Sequence, residues 1–228
     1  MNDAIANAPI DLSPFWLSLK LSLVTTLFLL FSAFPIAYIF ARRTFRFKRI
    51  LEAVTALPLV LPPTVLGFYI LLLLSPESIF GQVFEAAFGE RLVFNFGGMI
   101  IASCIFSFPF MFQPLKSGLE QIDRALLDAS YTLGKSELET LFRIVIPNMK
   151  ATILGASIVT FAHTMGEFGV VLMIGGNIPN ETRVASVAIY DKVEQLDFFS
   201  AHIYSAILVG FSFAVLLAVN YLNRGKTR

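Results

Sequence analysis

The sequence predicts an all-α, polytopic membrane protein with about five transmembrane helices and one long cytoplasmic loop. Three observations carry that prediction. The 228 residues are 56% hydrophobic and only 14% charged, with 24 phenylalanines, whereas a soluble domain carries about 25% charged residues. The mean hydropathy is +0.74. The apolar residues also fall into uncharged runs long enough to cross a bilayer.

Those runs lie between ionisable residues at Leu21–Ala41, Ala53–Pro76, Leu92–Leu115 and Phe198–Asn223. Each exceeds the ~20 residues that a helix needs to span the hydrocarbon core. A fifth run, Ala151–Gly166, is followed by Glu167 and a further uncharged stretch to Asn180. If that helix starts near Pro147, Glu167 falls about 30 Å along it, at the far interface and away from the costly bilayer centre. The expected spans are 15–41, 51–75, 92–116, 147–174 and 198–223, in one transmembrane domain over 1–228. A coupling loop is expected at 118–146.

Loop charges set the orientation. The segment ARRTFRFKRI (41–50) holds Arg42, Arg43, Arg46, Lys48 and Arg49 with no acid, and the C-terminal tail adds Arg224, Lys226 and Arg228. Loops 75–96 and 175–197 carry more acids than bases. With five spans, these signs agree only if the N-terminus is outside and the C-terminus is cytoplasmic. Acids stand where a cleaved leader would have its basic region, so no such leader is expected.

Two connections have a pattern of their own. Ile79, Phe80, Val83, Phe84, Ala87 and Phe88 recur at helical spacing, which fits an amphipathic helix on the outer interface or a packed connector. The stretch Gly118–Ile146 is charged in both signs yet keeps Ala125, Leu126, Ala129, Leu133, Leu138, Leu141 and Phe142. A polar, helical, partly apolar segment on the cytoplasmic side is expected to dock a partner.

The absences narrow the chemistry. There is no HExxH, GxSxG or Walker A pattern, so no motif supports hydrolysis or nucleotide binding by this chain. The net charge of +1 offers no basic footprint for nucleic acid, and the single Cys104 leaves no intramolecular disulfide. His163 and His202 lie in separate spans without metal-ligand spacing. Apart from the two histidines and the charges at span ends, Glu167 is the one charged residue within a span, and an ion-driven transporter usually keeps more. It is expected to pair with Arg183 or to cap nearby amides. Pro58, Pro62 and Pro63 remove helical hydrogen bonds in the second span and break or kink it. Freed backbone at that depth lines a cavity or is buried in protein, so Leu57–Gly67 either borders a pathway or serves packing alone.

The long loop reads Asp128-Ala129-Ser130, three residues, Gly134, nine residues, then Ile144-Val145-Ile146-Pro147. This resembles the EAA loop of the permease subunits of bacterial ATP-binding-cassette importers. Asp128, Ser130 and Ile146 replace Glu, Ala and Leu of the family pattern. PLVLPPTVLGFYILLLL in the second span, and GEFG (Gly166–Gly169), GNIP (Gly176–Pro179), ETR (Glu181–Arg183) and AIY (Ala188–Tyr190), resemble the oxyanion branch and molybdate permeases within it. Sulfate and tungstate permeases are near relatives of that branch.

The resemblance implies a type I importer permease in a bacterial inner membrane. Asp128, Ala129, Ser130, Gly134, Ile144 and Pro147 are then the residues that couple to an ATPase. Pro58, Pro62, Pro63, Gly67, Ser157, Gly166, Glu167 and Gly169 are candidates for the pathway or gate. Further implications are a homodimer among membrane lipid, two cytoplasmic ATPase subunits that carry ATP and Mg, and a periplasmic or external molybdate-binding protein. No cofactor is implied on this chain. A sulfate or tungstate importer is the alternative and, more remotely, a secondary transporter or channel.

Overall fold

The computed structural model describes the backbone of residues 10–224 and the side chains of 10–217. The first nine residues, the side chain of Arg224, and Lys226 and Arg228 of the basic tail lie outside the described residues. Every regular element among those described is helical.

Helix α1, Ser13–Arg42, is long and apolar, with Pro14 in its first turn, where a missing N–H leaves no bond unmade. The second apolar run forms two helices, α2 (Lys48–Val60) and α3 (Pro63–Leu74), bent by 116° at the residues between them. Pro62 and Pro63 explain the break: proline offers no N–H to continue the ladder and pushes the residue before it into extended backbone. Leu61 accordingly sits at ψ 139°. Next comes α4, Ile79–Phe88, opened by the Ser78 side chain and closed by Gly89 at φ 73°. Ile79, Val83 and Phe88 are exposed.

Helix α5, Phe96–Glu120, is capped by Asn95, whose Oδ1 accepts from Gly98 N–H at 2.8 Å. It is the axis of the fold, with α1, α2, α3 and the later helices packed around it. Ala33 and Ala37 of α1 are fully buried, and such small side chains let two membrane helices approach closely. They share a core with Met111, Phe112, Leu115 and Leu119 of α5 and Met149 beyond. Phe112 meets Phe40 edge-on and stacks on Phe108.

The loop after α5 holds α6 (Arg124–Thr132) and α7 (Glu137–Thr140). A single π turn, Leu141–Val145, then joins α7 to α8, Ile146–Met165. One helical stretch therefore runs from Glu137 to Met165. The fourth span expected over 147–174 is not continuous. It stops at Met165, and a separate short helix α9, Gly169–Gly175, follows a three-residue break. The GEFG segment, with glycine on both sides of Glu167 and Phe168, disfavours helix continuation.

Two helices complete the chain: α10 (Ala185–Glu194) and α11 (Phe198–Arg224). Hydrogen bonds from Ser200 hold the Asp197 carboxyl below its usual range. Helix α11 contacts α8 and α10 only at the periphery and leaves Val209 and Phe213 exposed. Among the described residues, four helices are long and apolar enough to cross a membrane, five if α2 and α3 count as one broken span.

Candidate functional site

The loop between α5 and α8 is built by local rules. Asp123 caps α6, accepting from Ala125 N–H at 2.9 Å. At the other end Gly134 N–H donates to Tyr131 C=O at 2.9 Å and Lys135 N–H to Ser130 C=O at 3.2 Å. That pair of bonds closes the helix with a left-handed residue, and Gly134 takes it at φ 74°. Ser136 then opens α7 with a capping box completed by Glu139. The two helices are tied together by a buried Ser130 Oγ to Thr140 Oγ1 bond of 2.8 Å.

This helical pair offers a surface. Asp128, Ala129 and Gly134 are exposed, and an added side chain at Gly134 meets nothing within 4 Å. Leu126, Tyr131, Leu133, Leu138 and Phe142 are exposed as well, Leu133 at 77%. Leu126, Tyr131 and Leu133 lie outside the membrane-crossing helices, and clustered apolar exposure there marks a contact surface. Ile144 and Pro147 lie at the π turn and the first turn of α8. Tyr38 Oη donates to Glu137 at 3.4 Å, so α1 also touches the pair.

At the opposite end of α8 the structure brings two stretches of the sequence together. Gly169 of α9 lies against α3, where an added Cβ would come within 2.9 Å of Pro63 Cβ. Gly67 of α3 lies against α9, where it would meet Met173 and the Val170 backbone at 3.1 and 3.2 Å. Gly67 and Gly169 are buried, whereas Pro62, Pro63 and Gly166 are exposed beside them. Pro58 lies on α2 and lines an apolar crevice of about 370 Å³ between α1, α2 and α5. Ser157 is half-buried lower on α8 and donates to Ile153 C=O at 2.8 Å.

Two expectations for Glu167 are overturned. It is only 4% exposed, enclosed by the chain's own helices, and its carboxyl caps no amide among the described residues. Nor does it pair with Arg183. That guanidinium donates to Asn177 and lies 3.7 Å from Asp191, which Asn177 also contacts. Neither Glu167 carboxyl oxygen has a hydrogen-bond partner among the described residues, although Ser103 of α5 lies close by. Only its main chain is engaged, as an acceptor from Ser186 Oγ.

Sequence reasoning missed the polar seam beneath Glu167. Ser18, Ser22, Thr25 and Thr26 of α1, Ser103 and Ser107 of α5, and Thr160 and Thr164 of α8 are all buried. Ser107 and Thr164 share a 2.9 Å bond, and Ser18 Oγ accepts Ala185 N–H at 2.8 Å. The signal was available in α1, where four hydroxyls recur at helical spacing in an apolar run. Thr182 was missed as well; it donates to Gly175 C=O at 2.6 Å and fixes the turn after α9.

A broken apolar span packed on a short helix, with one helical stretch running from there to an exposed loop, suits a subunit of a membrane transport system. The chain belongs to the family of binding-protein-dependent transport system inner membrane components, whose model matches residues 33–228. It is 44% identical to the molybdenum transport system permease protein ModB of Azotobacter vinelandii, over 95% of this chain and 96% of that one. It is 30% identical to the probable sulfate transport system permease protein cysT of Helicosporidium, over 96% of this chain and 80% of that one. The fold is similar to a crystal structure of a bacterial ABC transporter that imports alginate, with a TM-score of 0.79 at 16% identity. That likeness covers all of this chain and 83% of the other.

Proposed function

We propose that this chain is the membrane-spanning subunit of an ATP-driven importer of molybdate. The single observation that carries this reading is the 44% identity to a molybdenum permease over nearly the full length of both chains. The chain works as a homodimer in a bacterial inner membrane, with its N-terminus outside and its C-terminus in the cytoplasm. Two cytoplasmic ATPase subunits hold ATP and Mg and engage the exposed faces of α6 and α7. An external binding protein delivers the anion to the 75–96 and 175–197 loops.

The geometry supports a mechanical role. ATPase closure displaces the α6–α7 pair, which the Ser130–Thr140 bond keeps as one piece. The unbroken stretch from Glu137 to Met165 carries that displacement to the residues before α9. There the glycine contacts between α3 and α9 form a seal that two helices can leave without unfolding. No Lys or Arg lies inside the uncharged runs, so the anion passes along small, hydroxyl and backbone groups. Weak, multiple contacts of that kind let an ion leave as readily as it enters.

Sulfate import is the second reading, favoured by the sulfate permease relative at 30% identity. Calorimetric binding of molybdate, tungstate and sulfate to the partner binding protein separates the two. Molybdate bound at least roughly tenfold more tightly than sulfate, a difference of about 1.4 kcal/mol, supports the first reading; the reverse order assigns the chain to sulfate. Orientation is tested in a Cys104→Ala background with an impermeant thiol reagent applied from outside. Glu90→Cys is expected to react and Lys135→Cys to be protected, and the opposite pattern overturns the topology.

A further inference from the structure

We propose that Glu167 is a positioning residue of the transport cycle, whose enclosed carboxyl biases the α3–α9 seal toward opening. The inference rests on the importer reading above and goes beyond it by naming the group that sets the balance between sealed and open states.

Three observations converge on this residue. Glu167 is 4% exposed, and both of its carboxyl oxygens lack a hydrogen-bond partner among the described residues. Enclosing such a group without satisfying it is unfavourable in either protonation state, most of all as the anion. Second, the residue sits in the three-residue break between α8 and α9, where backbone rotation is easiest. Around Gly166, on its N-terminal side, the nearest atoms to an added Cβ are the Ala162 and His163 carbonyl oxygens at 3.9 Å, so there is room to turn. Third, the break lies between the lever and the seal. Helix α8 reaches it from the coupling loop, and α9 leaves it to pack its Gly169 on Pro63.

These features have one mechanical consequence. In the described conformation the carboxyl is sealed away from water, and Ser103, Thr25 and Thr26 around that part of the seam leave their own hydroxyl oxygens unpartnered. Separating α9 from α3 and turning the break at Gly166 admits water to the carboxyl and recovers its solvation. The sealed state therefore carries a penalty that the open state does not, and a modest push from α8 is enough to shift the population. A buried group with a purely architectural role would instead be bonded to the elements that it holds together.

The two roles predict opposite signs, which makes the test direct. Glu167→Met keeps the length of the side chain and removes the unsatisfied polar group, and burying an apolar replacement at such a site is often stabilising. The variant is studied as the full complex with its ATPase. The expected result is a melting temperature raised by about 2–4 °C, the scale for a chain of this size, with transport reduced roughly tenfold or more. Val170→Cys, buried against Gly67 in the seal and placed in a Cys104→Ala background, should react with a polar thiol reagent in some nucleotide state in the parent. It should be protected throughout in the Glu167→Met protein. Glu167→Gln, which keeps a polar group to be hydrated, should recover part of both transport and labelling. A lower melting temperature for both variants, with labelling at Val170→Cys unchanged, would show that Glu167 is architectural and overturn the proposal. Complex assembly and nucleotide-driven labelling in the parent are read in the same experiment. Their failure counts against the importer reading itself, whereas their success with an unaltered Glu167→Met protein counts against Glu167 alone.

Discussion

The two ends of α8 are both turning points with a glycine, and they are built in opposite ways. At the loop end, Gly134 is exposed, takes a left-handed φ of 74° and has nothing within 4 Å. Its neighbours are fixed by capping bonds within a dozen residues. At the other end, Gly169 is buried and faces Pro63 of a different helix at 2.9 Å from an added Cβ. Its backbone keeps local hydrogen bonds, but the packing partners of α9 on α3 and α5 are far away in the chain. On the importer reading proposed above, the first end is the surface that a partner grasps and the second is the contact that comes apart. A subunit that transmits force needs a stiff input and a yielding output, and the two glycines mark which is which.

That contrast breaks most visibly at the loop. Gly134→Glu places a charged side chain in open space and forces an L-residue into the left-handed region, at a cost of about 1–2 kcal/mol. The melting temperature should fall by only a few degrees, while stimulation of the ATPase by the loaded binding protein should disappear. Wild-type stimulation and transport in a well-assembled Gly134→Glu complex would mean that this surface docks nothing.

Gly169→Val attacks the other end. The added atoms have no room against Pro63, and overpacking of this kind costs about 1–3 kcal/mol. Here stability and transport should fall together, with ATP hydrolysis persisting but no longer tied to the substrate. A Gly169→Val protein that melts like the parent would show that α9 does not bear on α3.

A finer test concerns the stiffness of the input. Ser130→Ala leaves Thr140 Oγ1 buried without its partner, a loss of about 1–3 kcal/mol. The Ser130→Ala/Thr140→Val pair removes both groups and should be milder than the sum of the two single changes. Additive melting shifts across that cycle would show that the 2.8 Å bond does not tie α6 to α7.

The smallest effect belongs to Lys116, which bridges Glu52 of α2 at 2.8 Å and Glu120 at 3.4 Å. Glu52→Gln should cost at most about 1 kcal/mol because these charges are partly exposed. The loss should shrink as salt is raised. A drop large enough to disrupt assembly would make this bridge the main anchor of α2.

Much of the loop was legible in the sequence, because its rules are short-range. Asp123, Ser136 and Gly134 are a cap, a cap and a turn residue at their proper places, and each does its work within a few positions. Pro62 and Pro63 announced a break for the same reason, though not its angle. The enclosure of Glu167 could not be read from its distance along a helix, because burial depends on which other helices pack around the break after Met165. The pairing of Glu167 with Arg183 was misread for a different reason. Opposite charges near each other in sequence say nothing about a turn that swings Arg183 onto Asn177 and Asp191. The buried hydroxyl seam needed three helices in register, which no single run of residues encodes.

The π turn at Leu141–Val145 bears on how this chain tolerates changes in its length. Ile146 N–H donates five residues back, to Leu141 C=O, so this one turn holds a residue more than its α-helical neighbours. Losing a residue there converts the turn to ordinary α-helix and leaves α7 and α8 facing their partners. Losing one anywhere in α8 turns everything beyond it by about 100°, since an α-helix completes a turn in 3.6 residues. Thr160, Thr164 and the break before α9 would then face lipid. In genes for such subunits, loss of a single codon is expected to be tolerated at this slot and purged from the helix that follows it.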